Sequence, residues 1–128
     1  MNGSKIEEYL IKLMYTYNEI DKNMWLIEDP ENELQEVVIM YSDPLVIIRS
    51  VIMLTPDDNR LELYTKLLEL NASDVIHGAY ALEGNQIVLI NTMNYDTMDF
   101  EEFRCTLDAF SLALTQHYPI LSKFRKSI

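Results

Sequence analysis

The sequence predicts an α+β fold in which a five-stranded antiparallel sheet carries helices on one side. Three observations lead there. Ala79 to Leu82 and Gln86 to Thr92 are rich in strand formers and flank Gly84-Asn85, a pair that tolerates positive φ and suits a tight antiparallel hairpin. Behind Asp99, a helix N-cap residue with Glu102 three positions on, Phe100, Phe103, Leu107, Phe110 and Leu114 recur at helical spacing on one face. Between Met24 and Leu54, short apolar runs alternate with turn-forming clusters, as in a sheet with short connections.

In chain order, Ser4-Lys5-Ile6-Glu7 reads as a capping box that opens a first helix with Ile6, Tyr9, Leu10, Leu13, Met14, Tyr17 and Ile20 on its buried side. Met24 to Ile27 is the first strand, closed by the turn-like Glu28-Asp29-Pro30-Glu31-Asn32. Glu36 to Tyr41 is the second, and Ser42-Asp43-Pro44 separates it from the third and longest, Leu45 to Leu54. Thr55-Pro56-Asp57-Asp58 combines an N-cap hydroxyl, proline and first-turn acids, so a middle helix is expected from there. Leu61, Tyr64, Leu67 and Leu68 form its main stripe, Leu63 and Leu70 add apolar surface beside it, and Asn71 is placed to end it in left-handed geometry. The hairpin and the Phe100 helix follow. Pro119 then disfavours helical geometry at Tyr118, so Leu121 to Lys126 should be a separate short helix. The predicted order is α-β-β-β-α-β-β-α with a short terminal α.

The 128 residues, 48% of them apolar, suit one domain spanning 1–128, and no repeat or linker divides it. No apolar run reaches the roughly 20 residues of a membrane-spanning helix, and the polar Met1-Asn2-Gly3-Ser4-Lys5 start lacks the features of a secretory signal. Cys105 is the only cysteine, which excludes an internal disulfide. The expectation is a cytoplasmic protein. With 21 acidic against 10 basic side chains the net charge is −11, which repels phosphate backbones and anionic lipid, so neither nucleic acid nor membrane is an expected partner. Acidity is densest from Glu19 to Glu36, where Glu19, Asp21, Glu28, Asp29, Glu31, Glu33 and Glu36 face only Lys22. That run reads either as a solvated rim or as a surface for a basic partner. Lys123, Arg125 and Lys126 gather at the end of the chain, where a helix dipole favours cations.

The residues name no catalytic group, no metal ligand set and no cofactor site. His77 and His117 share no ligand spacing with each other or with Cys105, and Cys105 has no adjacent base to activate it. Gly3, Gly78 and Gly84 are the only glycines and make no phosphate loop. Glu101-Glu102 and Asp57-Asp58 suit helix starts better than acid–base work. Seven methionines and eight tyrosines serve core and interface equally and decide nothing by themselves.

The third strand is where a function becomes visible. Val46, Ile48, Ser50, Ile52 and Leu54 share one face, yet the opposite face, Leu45, Ile47, Arg49, Val51 and Met53, is also mostly apolar. That second face must lie under another element, against a second subunit, or against a partner. Two helices cover only one side of a sheet, so the expected docking surface for a partner polypeptide or a second copy is Leu45, Ile47, Val51 and Met53, joined by Trp25, Ile27, Val38 and Met40 from the neighbouring strands. Val46, Ile48 and Ile52 are the alternative register, since period-two alternation makes the two sets exclusive. Arg49 would sit at a rim or pair with a carboxylate.

A helix ending Leu68 to Asn71, a hairpin led by Gly78 and turned at Gly84-Asn85, a polar bridge and a helix opened by Asp99 together resemble the YbjN family, as does the ending Tyr118-Pro119-Ile120-Leu121. The same order is similar to the type III secretion chaperones. The resemblance implies one shared α+β fold and a non-enzymatic, protein-binding job, as a YbjN-type regulator or adaptor. The alternative it implies is a secretion-type chaperone that holds an extended client segment, usually as a homodimer. A small-molecule sensor or small enzyme would need a closed pocket with convergent polar groups, for which no motif argues.

Overall fold

The computed structural model of the chain describes residues 4–75 and 77–125. The elements are α1 (Ser4–Leu13), β1 (Tyr17–Asp21), β2 (Met24–Asp29), a 3-10 turn (Pro30–Asn32), β3 (Leu34–Ser42), β4 (Leu45–Leu54), α2 (Arg60–Ser73), β5 (Ala79–Glu83), β6 (Gln86–Asn94), α3 (Phe100–Gln116) and α4 (Tyr118–Ser122). The strands form one sheet in the order β1-β2-β3-β4-β6-β5, and every neighbouring pair is antiparallel.

The sheet therefore has six strands, not the five expected. Residues 17–21 form the extra one, although Tyr17 and Ile20 fit the helical spacing of α1. The helix stops because Met14 turns left-handed (φ 62°) and the Thr16 N–H is taken by the Asp29 carboxylate at 2.9 Å. The chain then pairs with β2, Tyr17 against Ile27 and Glu19 against Trp25, around a turn in which Asn23 adopts φ 59°. Asn is well suited to that geometry, so a long-range ladder overrides a local periodicity.

One face of the sheet carries the core. Trp25, Ile27, Val37, Ile39, Val46, Ile48, Leu89 and Met93 are buried there beneath Ile6 and Leu10 of α1 and Phe103, Leu107 and Phe110 of α3. Polar anchors hold α1 in place: Glu7 accepts from the Trp25 indole at 2.8 Å, and Lys5 Nζ donates to the carbonyls of Tyr95 (2.7 Å) and Met98 (3.0 Å). At the start of α3 the Asp99 carboxylate accepts from the Glu102 N–H at 2.8 Å, as its N-cap position requires. The hairpin also forms as expected, and Gly78 enters it at φ 124°, where a Cβ would stand 3.1 Å from the Ile90 carbonyl and 3.3 Å from the Phe110 ring.

The middle helix departs from expectation. It begins at Arg60, not after Thr55, because the Thr55 N–H is still bound to the Asn85 carbonyl (2.8 Å) and the Arg60 guanidinium binds the Pro56 carbonyl (2.6 Å). Its buried residues are Leu63, Leu67 and Leu70, while Leu61 and Leu68 are 83% and 68% exposed. Nor does Asn71 end the helix. Its side-chain amide donates to the Tyr80 carbonyl (3.1 Å) and accepts from the Tyr80 N–H (2.7 Å), pairing with β5 as a neighbouring strand would. This ties α2 to one edge of the sheet and binds the Tyr80 backbone groups that the edge would otherwise leave free. The last helix spans Tyr118–Ser122 with Pro119 in its first turn, so the proline starts the segment expected from Leu121 onward. Arg125 does not cap it; its guanidinium reaches the Ile52 carbonyl at 2.9 Å. Lys126, and the side chain of Ser4 in the expected capping box, lie outside what the structure describes.

Candidate functional site

The register of β4 resolves the two-faced strand. Ile48 lies opposite Ile39 and Asn91 on the core side, and Ile47 opposite Met40 and Thr92 on the other. The outward set is therefore Leu45, Ile47, Arg49 and Val51, and the alternative Val46 and Ile48 are core. Of the eight residues expected at the docking surface, five gather there: Leu45 (39% exposed) and Val51 (37% exposed), with the half-buried Val38, Met40 and Ile47. Three do not. Trp25 and Ile27 pair with Ile39 and Val37 and point into the core at 1% and 0% exposure. Met53 is 7% exposed because the register shifts between Val51 and Met53, where Met53 pairs with Ile87; the extra residue turns the end of β4 over.

Sequence reasoning missed the residues that replace them. Met24 and Leu26 pair with Met40 and Val38, so they, and not Trp25 and Ile27, extend the outward surface across β2; Ile90, opposite Arg49, extends it across β6. None of these outward side chains belongs to the core cluster, so α1, α2 and α3 leave this face uncovered. The β-bulge between Ile27 and Glu28 and the one in β4 had no legible signal. The Met24 to Met40 set could have been found only by aligning β2 with β3 across the Pro30–Asn32 turn that joins them.

Arg49 stands within this apolar surface. Its Nε donates to Glu83 Oε1 at 2.9 Å, and its Nη2 also reaches Gln86 Oε1 at 3.4 Å. The guanidinium thus spans from β4 to β5 across β6, where Val88 is fully buried without being part of the main core. Part-exposed, such a pair contributes only about 0–1 kcal/mol, and its consequence is shape: it lays a polar bar across the outward surface between Ile47 and Val51.

A buried polar residue joins three elements. His117, at the α3–α4 junction and 3% exposed, meets the Tyr80 hydroxyl at 2.6 Å through Nδ1 and the Asp74 carboxylate at 3.3 Å through Nε2. Burial, and then the charge of Asp74, push the Tyr80 phenol well above its usual range. The phenol stays protonated, and its hydroxyl and the Asp74 carboxylate hold the two ring nitrogens of His117. A nucleophile needs the opposite shift, so this line of three is a tie between β5, α2 and α3. Asp74 itself is held below the ordinary carboxylate range, first by the Ser73 hydroxyl and, against partial desolvation, by His117. His77 and Cys105 line the same open cleft as Asp74 and His117, yet among the described residues no group of three ligating side chains is placed to hold a metal ion.

The family model CesT_Tir_1, that of the type III secretion chaperones, matches residues 2–127. The chain belongs to this family. No curated protein sequence matches it. Among solved structures it resembles a chain of the heterodimeric ExoU-SpcU complex from the type III secretion system of Pseudomonas aeruginosa, at 12% identity, with 90% of this chain and 96% of that one covered and a TM-score of 0.64. It is equally similar to YbjN of E. coli, described as a putative transcription regulator, at 13% identity, 91% of each chain covered and a TM-score of 0.65. A structure of the Yersinia pestis type III secretion chaperone SycH with a stable fragment of YscM2 matches at 13% identity, 91% and 98% covered, with a TM-score of 0.53. At such identities the likeness is one of fold. Family and fold neighbours together are type III secretion chaperones and YbjN-like proteins, and they support a protein-binding adaptor or chaperone.

Proposed function

We propose that this chain is a non-catalytic adaptor or chaperone that docks a partner polypeptide on the outward face of β2, β3 and β4. One observation carries the reading: the central strand is apolar on both sides, and α1, α2 and α3 all serve the same core. An uncovered surface built from Met24, Leu26, Val38, Met40, Leu45, Ile47 and Val51 is the kind of patch that marks an interaction site on a water-facing protein. Membership of the secretion chaperone family supports a client segment as the occupant, and the SycH complex shows a relative of this fold holding a fragment of another protein. The likeness to YbjN supports the second flavour, a regulator whose partner is a protein of the same cell.

Met40 and Ile47 are direct cross-strand partners at the centre of this surface. In affinity purification from the native host, wild type should recover a partner that the folded Met40→Asp, Ile47→Asp double variant loses, since two buried carboxylates without partners disfavour docking strongly. Recovery of the same partner by both proteins removes this surface from the proposal. A partner encoded beside this chain and stabilised by it separates the chaperone from the regulator.

A further inference from the structure

The β3–β4 ladder ends early. Its last pair is Val37 with Ser50, yet β3 reaches back to Leu34 and β4 runs on to Leu54. Beyond that pair β3 keeps its bonds to β2, with Gln35 against Glu28, and β4 keeps its bonds to β6, with Met53 against Ile87. The sheet is forked, and a cleft of about 420 Å³ occupies the fork. That is within the roughly 300–1,000 Å³ of pockets that hold ligands. Gln35 and Glu36 line one prong and Ser50, Val51 and Ile52 the other, while the end of α3 and α4 close it from the core side through Leu114, His117 and Leu121.

Two features of the lining have no role in the fold. Ser50 is 2% exposed and faces the cleft from the core-side register, and its hydroxyl has no hydrogen-bond partner among the described residues. Every side-chain oxygen sealed from solvent does have one, so the Ser50 hydroxyl is not sealed: it opens into the cleft, where water or a bound group can meet it. Glu36, exposed and held at φ 57°, likewise has no ion-pair or hydrogen-bond partner among the described residues. Glu33, also left-handed at φ 59°, is bound by the Thr115 hydroxyl at the same mouth. The acidic run thus ends at an opening in the sheet. Its one buried member, Asp29, is not part of that rim: burial raises its carboxyl, but the N–H groups of Thr16 and Asn32 outweigh this and hold it below the usual range. On the far wall Arg125 is bound to the Ile52 carbonyl and lies 5.1 Å from the Tyr118 ring centroid, so the carboxylates of Glu33 and Glu36 and the cation of Arg125 stand at opposite ends of the lining.

We propose that the forked cleft binds an extended, lysine- or arginine-bearing polypeptide segment, with its backbone along the parted edge of β3, its cation at Glu36 and Glu33, and a polar group at the Ser50 hydroxyl. Strands that continue past their last shared pair present edges which an incoming strand can complete, and an unpaired carboxylate on a chain of net charge −11 selects a cation. The inference rests on the reading that this chain binds protein; Val51 borders both the cleft and the outward face, but neither Met40 nor Ile47 lines the cleft, so the two sites can be told apart.

The test is an amide NMR titration of the full chain with a short capped peptide of alternating valine and lysine, against its valine–glutamate counterpart and against butylamine. The lysine peptide should shift the amides of Glu36, Ser50 and Ile52, bind about tenfold more weakly to Glu36→Lys, and bind undiminished to Met40→Asp, Ile47→Asp. Glu36 is on the surface, so its variant keeps the fold. Absence of shifts at those three amides at millimolar peptide overturns the proposal, as does equal binding of the glutamate peptide. The same shifts from butylamine alone would make the cleft an amine site and remove the peptide. Shifts confined to Met40 and Ile47 would reject the cleft and leave the outward face as the docking surface.

Discussion

α3 and α2 are both leucine-rich helices that bury three or more side chains, yet only one of them declares its buried face in advance. In α3 the apolar residues recur at a single helical spacing, Asp99 caps the first turn, and Phe103, Leu107 and Phe110 end fully buried. In α2 leucines stand at 61, 63, 67, 68 and 70, so two overlapping faces are equally apolar and the local pattern has no preferred answer. The answer comes from β5. Once the Asn71 amide pairs with the Tyr80 backbone, the helix is rotated so that Leu63, Leu67 and Leu70 face the core and Leu61 and Leu68 face out. A helix with one stripe is self-specifying, and a helix with two is specified by its anchor.

Substitutions can break or sharpen this contrast. The largest effect is expected in α3: Phe103→Ala or Phe110→Ala should cost about 3–5 kcal/mol, a large part of the roughly 5–15 kcal/mol that holds a domain of this size. Denaturant melts of the variants check it, and a midpoint close to wild type would show that the stripe is not core. In α2 the two faces should separate cleanly. Leu63→Ala should cost about 2–5 kcal/mol, whereas Leu61→Ala should stay within about 0.5 kcal/mol, although sequence pattern ranks them the other way. A loss above about 1 kcal/mol at Leu61, measured in the same melts, would mean that this face is covered in solution.

The smallest difference lies at the helix starts. Asp99→Ala removes the hydrogen bond to the Glu102 N–H and should cost about 1 kcal/mol. Thr55→Ala should change stability by less than about 0.5 kcal/mol, because the Thr55 side chain caps nothing and α2 begins at Arg60 behind Asn59, which also makes no side-chain cap. Equal effects at the two positions would place the start of α2 where the sequence signal put it.

The outward face shows the same division at finer scale. Its existence was legible in β4, since a strand apolar on both sides must have both sides covered by something. Val38, Met40, Leu45, Ile47 and Val51 were one of two registers the sequence allowed, and only the strand pairing chose it over Val46 and Ile48; the residues from β2 were misassigned. Trp25 and Ile27 share one face of β2, and antiparallel pairing with Ile39 and Val37 commits that face to the core.

By itself the sequence determined the α+β class, the Gly84-Asn85 hairpin, the capped α3 and the two-faced central strand, because each depends on neighbours within a few positions: a turn pair, a cap, a periodicity. Tertiary structure alone decided that residues 17–21 are a sixth strand, that α2 turns Leu61 outward, that Met53 turns inward, and that β3 and β4 part beyond Val37 and Ser50. Each of these is set by a register or an anchor between residues distant in the chain. A period-two strand and a leucine-rich helix accept either face until such a contact selects one.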